Sequence, residues 1–129
     1  MKLNKKTTTE ELNKNDNEVL IFILGDIINM MYVLYNSKKP EEFYKRIQII
    51  KKILCMFNIL EYSLDKCIEK DMILITDNFY QNTLYAINNI YYTSEQYQKI
   101  IEIIKSLTDI KEVLKKKEIK QKLNINSRS

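Results

Sequence analysis

The stretch VLIFILGDIINMMYVLY, Val19 to Tyr35, decides the fold. Fourteen of its seventeen residues are apolar or tyrosine, so as a helix it is greasy on nearly every side, which marks a helix buried among others. The reading makes it the central element that the rest of the chain packs around. Its length also reaches the lower limit for a membrane span. Asp26 and Asn29, near its middle, are each costly in lipid, and three later segments are amphipathic and need something to cover. The expectation is a bundle helix without membrane insertion.

The chain has 129 residues, 45% of them hydrophobic, which suits one domain with a core that needs no covalent or metal staples. One glycine and one proline allow few tight turns, so long helices are favoured over many short strands. The formal charge of +4 is unevenly spread. Residues 111 to 129 hold six lysines and Arg128 against Glu112 and Glu118, a net +5. Residues 1 to 17 hold four lysines against Glu10, Glu11 and Asp16, a net +1, which leaves residues 18 to 110 at −2. A slightly acidic body has no footprint for a phosphate backbone, so nucleic acid is not the expected partner and only the lysine-rich tail could recruit it. Cys55 and Cys67 make no disulfide framework, and with no histidine in the chain a zinc site lacks ligands. That usage suits a reduced, cytoplasmic compartment. Cys55, in an apolar helical run, reads as a small core residue. No secretory signal is read at the N-terminus, where lysines are followed by acidic residues.

Residues 1–17 read as a flexible polar lead, residues 18–114 as the helical bundle, and residues 115–129 as a lysine-rich helix end with a disordered tail from 124. Helix one is predicted over 18–36, with Gly25 explained by close approach of a neighbouring helix. Pro40 followed by Glu41 and Glu42 opens helix two, about 40–65, where Phe43, Ile47, Ile50, Leu54, Phe57 and Leu64 recur at helical spacing while Lys45, Arg46, Lys51, Lys52 and Glu61 point elsewhere. The charged run at 64–71 is the expected connection. Helix three is predicted over 72–92, with Ile75 and Phe79 on its inner face. Thr93-Ser94-Glu95-Gln96 has the form of a capping box and opens helix four. Its core face holds Tyr97, Ile100, Ile101, Ile104, Leu107, Val113 and Leu114. The sum is an all-α, antiparallel up-down four-helix bundle.

Catalysis needs a nucleophile with a base, a metal cluster or a glycine-rich phosphate cradle, and the chain offers almost none of these residues. Asp26 is a lone acid in an apolar helix and reads as structural. No catalytic, cofactor-binding or metal residue is assigned, and no small-molecule substrate is expected. What remains is surface: nine tyrosines and many isoleucines and methionines exceed the needs of a small core. Ile49, Met56, Ile59, Tyr80, Ile103 and Ile110 lie off the main stripes of helices two to four and are the candidate partner-binding residues. Leu24 and Ile28 are assigned to the core.

The order of these features resembles the flagellar export chaperone FliS family, as a divergent member. That family opens its first helix with an apolar stretch of the form EELIxMLYDGAI, and EVLIFILGDII at residues 18–28 matches it at Glu18, Leu20, Ile21, Leu24 and Asp26, with Ile28 as an apolar residue where the family has alanine. Leu64 and Asp65 match a Leu-Asp pair at the end of its second helix, and Ile75, Asn78 and Tyr80 match its third-helix run, with Phe79 in place of leucine. The resemblance implies a cytoplasmic, non-catalytic chaperone that binds the C-terminal helical segment of flagellin, prevents premature polymerisation and aids export. Two other classes stay open: a small nucleic-acid-binding or regulatory protein acting through its basic tail, and a homo-oligomeric structural subunit, for instance a homodimer.

Overall fold

A computed structural model describes residues 9–61, 66–88 and 93–128. They form four helices, α1 (Thr9–Asn36), α2 (Phe43–Glu61), α3 (Lys66–Asn88) and α4 (Ser94–Arg128), with a 3-10 turn at Pro40–Glu42 before α2. No strand occurs among the described residues. The chain is an all-α four-helix bundle. α1 packs most closely with α4 and next with α2, and α3 packs on α4, while α2 and α3 touch least. The cyclic order is therefore α1–α2–α3–α4, closed by the first and last helices.

The start signals work as their chemistry requires. Pro40 fixes the first turn, and the Lys39 amide donates to Glu42 Oε1 at 3.3 Å. At Thr93 both halves of the capping box are present: the Thr93 amide donates to Gln96 Oε1 at 2.9 Å and the Gln96 amide to Thr93 Oγ1 at 3.4 Å. The core is one contiguous cluster. Leu20, Leu24, Ile27, Met31 and Leu34 of α1 meet Ile50, Ile53, Phe57 and Leu60 of α2, Ile68, Met72, Ile75 and Phe79 of α3, and Ile100, Ile104, Leu107 and Leu114 of α4. Phe57 and Phe79 meet edge to face, 5.6 Å between centroids, across the α2–α3 pair, which otherwise touches least.

Element ends differ from expectation in instructive ways. α1 begins at Thr9, so residues 9–17 are helical rather than a lead. Residues 1–8 lie outside the described residues. The predicted connection at 64–71 is helical from Lys66, because Ile68 and Met72 stand one turn apart and are both buried, so the charged residues among them form only the outer side. Residues 62–65 and 89–92, which carry the predicted ends of helices two and three with Leu64 and Asp65, fall outside the described residues. α4 continues to Arg128, through the tail expected to be disordered from 124, since nothing after Leu114 is glycine or proline and most of it is Lys, Glu, Gln or Leu.

Two single residues are also corrected. Arg46, assigned to solvent, is 3% exposed: its Nη1 donates to the carbonyls of Ser37 and Lys39, each at 2.8 Å, tying the end of α1 to the start of α2. Cys55, assigned to the core, is exposed, and the side chain of Cys67 is not among those described.

A candidate helix-docking face

The edges of α1 and α2 can be identified from their neighbours. On α2, Phe57, Leu60 and Glu61 line a cleft of about 320 Å³ with Glu69, Met72, Ile73 and Thr76 of α3, which marks the α3 edge. The opposite edge of α2 therefore faces α1, and it carries Ile49 and Met56, half-buried against the core, with Lys45, Lys52 and Ile59 outside them. On α1, Gly25 lies against the Lys111 side chain, and the Tyr35 ring meets Tyr97 edge to face at 5.8 Å, which marks the α4 edge. Ile23 and Met30, on the other side, are half-buried toward α2.

Outside Ile23 and Met30 runs a row at helical spacing: Val19, Phe22, Asp26 and Val33. Val19 is 51% exposed, Phe22 70% and Val33 43%. Antiparallel helices joined by a short turn come level when counted equally from it. Phe22 lies fourteen residues before Asn36, about 21 Å along α1, and Ile59 sixteen residues after Phe43, about 24 Å along α2. Phe22 and Ile59, the latter 55% exposed, thus stand at similar heights on the outer sides of α1 and α2, flanking the groove between the two packed helices. Met30, Met56 and Ile49 are half-buried toward that groove, with Asp26 on the α1 side and Lys45 and Lys52 on the α2 side. The methionines matter because their unbranched chains repack around an incoming surface at little cost.

Helix one therefore does not have its whole surface covered. A four-helix bundle has no central helix; α1 touches α2 and α4, and its third side, with Phe22 and Asn29 exposed and Asp26 half-buried, is left to water. Of the candidate partner-binding residues, Ile49, Met56 and Ile59 belong to this groove. Tyr80, 50% exposed, lies beside Ile73 on the α2-facing edge of α3, on the other side of α2. Ile103 and Ile110 do not belong to any outer face: they are 4% and 8% exposed. α4 packs against both α1 and α3, so its inner stripe is wide enough to take Ile103 toward Ile75 and Asn78 of α3, and Ile110 with it. Val113, assigned to the core, is 47% exposed instead. Leu24 and Ile28 are buried as expected.

Polar chemistry gathers at the end of the bundle where α1 meets α2. Lys38 Nζ stands 4.3 Å from the Tyr35 ring centroid and 4.9 Å from that of Tyr97. Burial raises the Tyr97 phenol above its ordinary range; Arg46 opposes the shift, and Glu42 and Tyr35 add to it. A second polar cleft, about 250 Å³, is lined by Gln81, Asn82, Thr93, Glu95, Gln96 and Lys99. Asn82 is 5% exposed, and its Oδ1 finds no hydrogen-bond partner among the described residues. Among the described residues no three His, Cys, Asp or Glu side chains come together as metal ligands.

Comparison with models of known protein families, with curated proteins and with solved structures finds no match for this chain. The functional reading rests on the groove itself.

Proposed function

We propose that this protein is a non-catalytic, cytoplasmic chaperone that holds an apolar helix of an unassembled protein subunit, and that the subunit is flagellin, bound through its C-terminal helical segment. The observation that carries the reading is the α1–α2 groove, where Val19, Phe22, Val33 and Ile59 stand in water beside the half-buried Ile49, Met30 and Met56. Exposed apolar side chains gathered on one side of a bundle mark a place where another surface belongs. An amphipathic helix laid along the groove would present its own i, i+3, i+4, i+7 row to the two exposed rows on either side. Such a segment aggregates when left free, and covering it demands area rather than chemistry. The choice of flagellin comes from the resemblance of residues 18–28 and 75–80 to the export-chaperone family.

The test is a titration of the purified protein with a peptide spanning the C-terminal helix of flagellin, alongside the variants Phe22→Asp and Ile59→Asp. Saturable binding that both variants weaken about tenfold or more, with thermal stability unchanged, is the expected result. Binding that resists both variants would move the site elsewhere, and absence of binding would remove flagellin as the partner. Sedimentation of the free protein at several concentrations separates a monomer with an open groove from a homo-oligomer that buries the groove itself.

A further inference from the structure

α4 is 35 residues long and α3 is 23, about 52 Å against about 34 Å, and both leave the same end of the bundle. About 18 Å of α4, from Lys117 onward, therefore runs past the start of α3, while the start of α1 at Thr9 lies alongside it, since Gly25 stands by Lys111 and Tyr35 by Tyr97. On the side of this segment that stays open, Lys115, Ile119 and Leu123 form one row at successive turns, and Lys116 and Lys120 form the row beside it. All five are exposed, with Ile119 at 58% and Leu123 at 61%. Glu112, one turn earlier, reaches Lys115 at 3.9 Å.

We propose that the overhang of α4 docks on an anionic lipid surface, with Ile119 and Leu123 entering the headgroup boundary and Lys115, Lys116 and Lys120 against acidic headgroups. Charge complementarity selects this occupant. Residues 111–129 carry +5, against −2 for residues 9–17 of α1 beside them and −2 for residues 18–110, so an anionic surface attracts this end of α4 and repels the body. A nucleic-acid backbone would satisfy the lysines but has nothing to cover two adjacent aliphatic side chains, whereas a lipid interface takes both. The site is separate from the α1–α2 groove, and it stands whether or not that groove holds a partner.

The experiment is co-sedimentation of the full chain with phosphatidylcholine vesicles, with and without phosphatidylglycerol. Binding is expected only when phosphatidylglycerol is present. Lys116→Glu with Lys120→Glu should abolish it. Ile119→Ser with Leu123→Ser keeps every charge and should weaken it about tenfold, while Phe22→Asp should leave it unchanged. These positions are exposed, so helical dichroism should be unaltered in all three. Equal binding to both vesicle types, full binding by the serine pair, or loss on Phe22→Asp would each overturn the proposal. So would a single-stranded oligonucleotide that binds more tightly than the vesicles and displaces the protein from them.

Discussion

Gly25 sits in the interior of α1, where glycine costs roughly 1 kcal/mol relative to alanine. A methyl group there would meet only the end of the Lys111 side chain, 3.4 Å from its Nζ, and no backbone. The close helix approach read from the sequence is therefore not what the position needs, and Gly25→Ala should raise stability by about 0.5–1 kcal/mol in urea unfolding. Arg46 is the opposite case. Replacing it with methionine keeps the stem but leaves the Ser37 and Lys39 carbonyls without their donor, at a cost of roughly 2–3 kcal/mol. Its spacing was legible: Phe43, Arg46, Ile50, Ile53, Phe57 and Leu60 alternate three and four, so the arginine occupies a core position that its charge disguised. Tyr97 gives a pH dependence. Its phenol ionises at higher pH in the folded chain than in the unfolded one, so its share of stability is intact below pH 10 and is lost as pH rises through the folded value. Tyr97→Phe should flatten that alkaline loss in thermal melts run between pH 9 and 12, whereas Tyr44→Phe, at a 79% exposed site, should not.

At the scale of the helix, periodicity identified four elements and most of the core, because Leu24, Ile50, Phe79 and Leu107 stand on stripes that no other structure explains. What it missed follows from counting neighbours. An apolar run on every side of α1 suggests complete burial, yet a helix in a four-helix bundle has only two adjacent partners, and the exposed Phe22 and Asn29 mark the side left in water. On α4 the error ran the other way: a helix between two neighbours needs a broad apolar face, so Ile103 and Ile110 were surplus only on the assumption of a narrow stripe. The correction reverses an expectation about mutants. Ile103→Asp should unfold the bundle, costing about 4–5 kcal/mol, because it places an unpaired carboxylate against Ile75. Ile59→Asp should stay within about 0.5 kcal/mol of the parent. Equal melting temperatures for these two variants would refute the edge assignment of both helices.

For the whole molecule, the helical overhang after Leu114 adds length without adding to the described core, whose last member is Leu114 itself. Removing residues 115–129 should leave helicity per residue and groove binding intact while abolishing any attraction to acidic vesicles. Loss of groove binding in that truncation, with the fold preserved, would favour a function driven by the basic tail. The closing of the bundle by its first and last helices has a further meaning in time. α1 emerges from the ribosome long before α4, and at about 5–20 residues per second the 78 residues from Asn36 to Leu114 take roughly 4–16 s to follow. During that interval Leu20, Leu24, Met31 and Leu34 have not yet met α4, so for some seconds the nascent chain carries an apolar helix of its own with one side still uncovered.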